Sequence, residues 1–73
     1  MTPNLTPGTV YEHYKGMRYK ILSTALHSET LEELIIYETL YENKLSKVWA
    51  RPKKMFLEFI EINGKTRPRF KKV

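Results

Sequence analysis

The chain has 73 residues and no cysteine. Disulfide bridges and thiolate zinc sites are therefore excluded as sources of stability. Apolar runs are also scarce, since the longest covers only residues 34–37 and about 20 are needed to cross a bilayer. Three scattered glycines exclude a glycine-rich loop that could cradle a phosphate. These absences predict one small domain over residues 1–73, stabilised by its own core.

The N-terminal segment shows no recognisable targeting signal. Residues 1–8 have neither a basic region nor an apolar run, so we expect no secretory signal. The two prolines and one glycine of this segment predict an extended lead-in. We therefore predict a cytoplasmic protein without membrane contact, and we favour a monomer.

Charge is unevenly distributed along the chain. The formal net charge is +5, but residues 1–43 hold three Lys or Arg and six Glu, whereas residues 44–73 hold ten Lys or Arg and two Glu. The basic C-terminal third is typical either of a solvated surface or of a site for a polyanion. Its last residues, 71–73, are predicted to form a frayed tail.

Alternating apolar residues and turn residues predict a mainly β fold. Lys15-Gly16 and Asn63-Gly64 indicate hairpin turns, and Pro52–Phe56 suits one short 3₁₀ or helical turn. The predicted strands are Thr9–Tyr14, Met17–His27, Val48–Arg51, Leu57–Ile62 and one edge strand within Lys65–Val73. In the second of these strands, every other residue from Met17 to Ala25 is expected on one face.

Residues 30–43 allow two interpretations. As a helix, the segment has Thr30 as N-cap and Glu33 as its capping-box partner. As a strand, Leu34–Tyr41 is enriched in Ile, Tyr and Thr. The helical pattern is weak because Glu38 stands where the apolar face should continue.

Several motifs resemble one small bacterial family, domain of unknown function 1653. They are H-Y-K-G at His13–Gly16, A-x-H-S-E-T at Ala25–Thr30, Y-x-x-L-Y at Tyr37–Tyr41, W-x-R-P-x-x-M-F at Trp49–Phe56 and P-R-F at Pro68–Phe70. The resemblance implies a compact, mostly β domain of SH3-like character, which favours the strand for Leu34–Tyr41. It implies no activity, so no residue inherits a role. We therefore predict a half-open SH3-like barrel of five or six strands with one short helical turn.

The run His27-Ser28-Glu29-Thr30 is the most chemically suggestive in the chain. Its histidine, hydroxyls and carboxylate could take part in acid–base chemistry or line a binding site. Neighbouring residues of a strand point to opposite faces, however, so adjacency alone does not build a catalytic triad. Ser28 and Thr30 also suit a structural turn or cap.

Aromatic side chains give the stronger functional lead, because partly exposed rings bind peptides, cations or bases. Tyr19 and Phe56 are expected in the core. Arg51 is expected to form a salt bridge, to stack on a ring or to bind an anion. We predict a non-catalytic binding module without metal or cofactor. The sequence does not identify its ligand, and a protein or peptide is one candidate partner. Its proposed surface consists of Tyr14, His27, Glu29, Tyr37, Tyr41, Trp49 and Arg51.

The alternative function is contact with single-stranded nucleic acid. The basic third would neutralise phosphates, while the same rings would stack on bases. The cations assigned to this function are Lys65, Arg67, Arg69, Lys71 and Lys72.

Overall fold

A computed structural model describes residues 5–73, and residues 1–4 of the predicted lead-in lie outside the described part. The fold is mainly β, as predicted. Its elements are β1 (Val10–His13), β2 (Arg18–Leu26), β3 (Glu33–Thr39), β4 (Val48–Pro52), α1 (Lys53–Phe56), β5 (Phe59–Ile62), β6 (Lys65–Pro68) and β7 (Phe70–Lys72). Among these described residues no helix is long and apolar enough to cross a membrane.

The strands form two antiparallel sheets. The larger sheet has the order β4-β3-β2-β1-β7, and the smaller one is the β5–β6 hairpin. The sheets do not close into a barrel. Side chains of the two edge strands nevertheless meet, because the Arg51 guanidinium of β4 lies 5.4 Å from the ring centroid of Phe70 in β7.

The ambiguous segment is a strand. β3 covers Glu33–Thr39 and pairs with β2 on one side and β4 on the other. Its burial alternates, with Ile35, Tyr37 and Thr39 buried and the residues between them more exposed. The β-branched and aromatic residues therefore decide the structure, since they supply one buried face at the period of a strand.

Both predicted hairpin turns are present. At the β5–β6 turn, Asn63 and Gly64 have φ angles of 52° and 77°. Two successive positive φ angles are characteristic of a type I′ turn, whose twist matches that of the flanking strands. At the β1–β2 turn, the amide of Gly16 donates to the carbonyl of His13 over 2.7 Å. The predicted helical turn is also found, as α1 follows Pro52 directly.

The C-terminal segment differs from its prediction. It contains two strands, because β6 pairs with β5 up to Pro68 and β7 pairs with β1. Proline has no amide hydrogen with which to continue the first ladder, and Arg69 bonds to the backbone of both Glu58 and Tyr14. The chain therefore changes sheets at Arg69, which gives seven strands where five or six were predicted. Lys71 and Lys72, predicted to fray, are paired with β1.

The regular alternation predicted for β2 stops at a bulge. The register of β2 against β3 shifts between Ile21 and Ser23. Tyr19 and Ile21 are buried, whereas Ser23 and Ala25 are exposed. One extra residue on a strand moves the following side chains to the other face. The predicted common face therefore ends at Ile21.

Aromatic rings form most of the core. Phe56 is 1% exposed and stacks on Phe70 with a centroid distance of 4.2 Å and an interplanar angle of 5°. Tyr11 meets the Phe56 ring edge-on at 5.3 Å. The remaining buried hydrophobic residues are Tyr19, Ile21, Ile35 and Tyr37.

We expect Phe56→Ala to lower the free energy of unfolding by about 3–5 kcal/mol, because it removes a fully buried ring. The melting temperature should fall by at least about 12 °C in a domain of this size. Phe59→Ala is the matched control, since that ring is 65% exposed. Equal melting temperatures for the two variants would contradict the described core.

Candidate functional site

Four of the predicted site residues line one cavity of about 190 Å³. They are Tyr37, Tyr41, Trp49 and Arg51, and they are joined there by Tyr19 and Asn43. This set is called the aromatic pocket below. The sequence assigned Tyr19 to the core and did not single out Asn43. Tyr19 is indeed buried, but its hydroxyl reaches the pocket, where it lies 2.9 Å from that of Tyr41.

The strand register places these side chains together. Tyr37 of β3 is paired with Trp49 of β4, and Ile35 is paired with Arg51. On the other side of β3, the ring of Tyr19 meets that of Tyr37 edge-on, with centroids 5.2 Å apart. The aromatic pocket is therefore built across three adjacent strands, β2, β3 and β4, and the segment that follows β3.

Arg51 is a half-buried cation without a carboxylate partner. Its Nε donates to the Tyr37 hydroxyl over 3.3 Å, and its guanidinium lies over the Phe70 ring. Among residues 5–73, none of the ion pairs includes Arg51. The predicted ring contact is present, and the predicted salt bridge is not. Arg51 therefore contacts a ring and a hydroxyl group, and no carboxylate of the described residues balances its charge.

The Tyr19 hydroxyl of the aromatic pocket is a protonated donor. Burial raises the pKa of Tyr19 far above its ordinary value, and the hydrogen bond to Tyr41 raises it further. Because Tyr37 accepts the Arg51 N–H, its own proton remains available to another acceptor. In the Tyr19–Tyr41 pair only one proton lies between the two oxygens. The aromatic pocket therefore presents hydroxyl and guanidinium protons together.

His27 and Glu29 lie outside the aromatic pocket, in the β2–β3 loop. The His27 Nδ1 accepts from the amides of Glu29 and Thr30 over 3.1 and 3.3 Å. Thr30 Oγ1 accepts from the amide of Glu32 over 3.2 Å. The side chains of His27 and Thr30 therefore cap backbone amides of this loop. The predicted single surface is divided, because His27 and Glu29 lie apart from the aromatic pocket. The polar groups of His27 and Thr30 stabilise the turn, because they accept hydrogen bonds from neighbouring amides.

Tyr14 belongs to a second cavity of about 460 Å³. That cavity is lined by Glu12, His13, Tyr14, Arg67, Pro68 and Lys71 and is called the basic cleft below. Tyr14 is half-buried, and its ring lies 4.3 Å from that of His13. Lys15 lies 5.8 Å from the Tyr14 ring centroid. The basic cleft thus combines one ring with the cations of the β6–β7 segment.

The cations of the alternative site are not equivalent. Arg69 is held by Glu58, with 2.6 Å between Nη2 and Oε1. Within the described residues, the other four predicted cations have no ion pair. Of these four, Arg67 and Lys71 line the basic cleft, and Lys65 and Lys72 do not.

His13 is a buried member of the basic cleft. Its Nδ1 accepts from the amide of Lys15 over 3.2 Å. Burial lowers the pKa of His13 most, and the positive charges of Arg51, Arg69 and Lys15 lower it further. Three cations therefore oppose protonation of this imidazole. Among residues 5–73, no three His, Asp or Glu side chains group as metal ligands would.

Comparison with known proteins gives the family. The family model described as "Protein of unknown function (DUF1653)" matches residues 9–72. The chain belongs to this DUF1653 family. It is also similar to the crystal structure of a DUF1653 protein from Bordetella bronchiseptica, with 31% identity and a TM-score of 0.85, covering 96% of this chain and 88% of that one. No curated protein matches the chain.

We expect His13 to make the stability of this DUF1653 domain depend on pH. Its lowered pKa means that the unfolded chain binds a proton at higher pH than the folded chain does. The free energy of unfolding should therefore fall as the pH is lowered through the ordinary histidine value of about 6.5. Urea denaturation on both sides of this pH measures the effect.

His13→Asn is the matched variant, because an amide oxygen can replace Nδ1 as the acceptor for Lys15. In this variant most of the pH dependence should disappear. His27 is the other histidine of the chain, and its Asn variant serves as the control. A pH dependence that survives in His13→Asn and disappears in His27→Asn would refute the assignment.

Proposed function

We propose that this DUF1653 domain is a non-catalytic binding module and that the aromatic pocket is its recognition site. One observation carries the proposal: rings from three strands surround Arg51, and no carboxylate among the described residues neutralises it. A half-buried charge without a partner is costly unless a ligand or solvent compensates it. A bound partner can supply that compensation.

The state of the ionisable groups supports binding rather than catalysis. Both histidines use Nδ1 to accept backbone amides at turns, and neither lines the aromatic pocket. The raised pKa of Tyr19 opposes its use as a base. The groups that remain are hydrogen-bond donors and ring faces, which recognise a ligand without transforming it.

The contact between edge strands supports an SH3-like, half-open arrangement as the finer description of the fold. Arg51 of β4 meets Phe70 of β7 although these strands are not paired. The larger sheet is therefore curled, as antiparallel sheets become when they approach closure. In this description the aromatic pocket lies where the two edges approach each other.

The binding module can be tested by NMR with small anionic, neutral and cationic aromatic probes. We expect the largest shift changes at the Trp49 indole N–H and the Arg51 Nε–H, because both residues line the pocket. Trp49→Ala should abolish these changes at Arg51 while the domain stays folded. Probe-induced shifts confined to other regions, or absent for every probe, would contradict the proposal.

Contact with single-stranded nucleic acid is a second candidate function, supported by the basic cleft. Arg67 and Lys71 have no ion pair in the described part of the chain, and Tyr14 provides a ring beside them. Cations can neutralise backbone phosphates while a ring stacks on a base. Arg69 is not included in this second proposal, because its guanidinium already pairs with Glu58.

The salt dependence of binding to labelled single strands tests this candidate. Each phosphate contact should contribute about −0.7 to the slope of log affinity against log salt, so Arg67→Ala with Lys71→Ala should flatten it by about 1.4. Lys44→Ala with Lys54→Ala is the control, because these cations lie outside the cleft. Binding weaker than about 100 μM at physiological salt removes the candidate.

A further inference from the structure

We infer that the aromatic pocket takes a single carboxylate attached to a flat apolar group. This inference rests on the proposed function, since it names the chemical class that the same pocket would bind. It concerns a different cavity from the basic cleft, and it follows from the donors, the charge and the size of the pocket.

The polar groups of the pocket suit an acceptor. Arg51 has five N–H donors in a fixed planar fork, and one of them, Nε–H, is used by Tyr37. The Tyr37 hydroxyl proton and one proton of the Tyr19–Tyr41 pair add further donors. Within residues 5–73, no Asp or Glu lines the cavity. A carboxylate is the acceptor whose planar geometry matches a guanidinium fork.

The charge of the surroundings favours one negative charge over two. Among the described residues, Arg51 is the only cation that lines the aromatic pocket. The neighbouring cavity, which shares Tyr41 and Asn43 with it, is lined by Glu38 and Glu42. Glu38 is balanced by Lys20 at 2.9 Å and Lys47 at 4.0 Å. A phosphate monoester carries about −1.5 to −2 at neutral pH, so one arginine would leave much of its charge uncompensated.

The volume and the rings specify the rest of the ligand. A cavity of about 150 Å³ accommodates benzene, and the aromatic pocket is slightly larger, at about 190 Å³. The indole N–H of Trp49 is already bonded to the Ser46 carbonyl over 3.0 Å. The tryptophan therefore offers ring surface rather than a donor. One flat apolar group can pack there while its carboxylate meets Arg51.

Benzoate, benzamide, benzylamine and inorganic phosphate are the probes for this inference. They separate a carboxylate from its neutral isostere, from a cation and from a multiply charged anion. We expect benzoate to shift the Trp49 and Arg51 side-chain signals with a dissociation constant in the millimolar range, as suits so small a ligand. The other three probes should bind at least about tenfold more weakly, because a hydrogen-bonded charge pair is lost or mismatched.

Variants of the pocket test the assigned contacts. Arg51→Gln should weaken benzoate binding by about 10- to 100-fold, the usual effect of losing bonds to a charged group. Arg18→Gln is the matched control and should leave benzoate binding unchanged, because Arg18 is exposed and lines neither the aromatic pocket nor the basic cleft. Tyr37→Phe keeps the buried ring and removes only the hydroxyl, so it tests the pocket even if Arg51→Gln unfolds. It should weaken benzoate several-fold.

The source of the carboxylate is tested with N-acetylphenylalanine and its amide. Tighter binding of the acid than of benzoate supports a protein chain end as ligand, and the reverse order supports a small molecule. If benzamide or benzylamine binds as tightly as benzoate, the inference is overturned but the binding pocket remains. If no probe shifts the Trp49 signal, both the inference and the proposed function fail.

Discussion

The stacking of Phe70 against Phe56 is the contact on which the rest of the structure depends. Phe70 comes from the last strand and Phe56 from the short helix, so the stack joins two chain segments that share no backbone pairing. The same Phe70 ring meets His13 edge-on at 5.0 Å and lies beneath the Arg51 guanidinium. Large rings can unite a small core because each buries much surface at low entropic cost. Both candidate cavities border this cluster.

This construction explains how Arg51 is held without a carboxylate. A cation over an aromatic face is attracted by the ring's quadrupole, and Tyr37 accepts one of its protons. These contacts orient the guanidinium, but they leave its formal charge in place. Arg69, the residue before Phe70, is treated differently, because Glu58 neutralises it at 2.6 Å. The two arginines therefore differ in whether the protein itself supplies the counter-charge.

Much of the fold could be predicted from local sequence. The Asn63-Gly64 turn and the α1 turn after Pro52 depend on residues close to one another in the chain. The residues of β3 left a helix and a strand open, and the family resemblance favoured the strand. The pairing of Trp49 beside Tyr37 then follows from an antiparallel register. The strand β7 could not be predicted in this way, because its partner β1 is nearly a whole chain length away. The bulge after Ile21 was equally hidden, since no glycine or proline marks it.

The part of the candidate site that could be predicted consists mainly of residues on paired strands. Residues on adjacent strands came together, whereas His27 and Glu29, chosen for their chemistry, belong to a loop with its own hydrogen bonds. Polar residues in a small domain are first used to satisfy nearby backbone groups, because an unpaired amide is costly. A polar group that the structure leaves uncompensated is therefore more informative than a reactive residue type. By this criterion Arg51, which has no carboxylate partner among the described residues, supports the aromatic pocket rather than the histidine-containing loop as the candidate site.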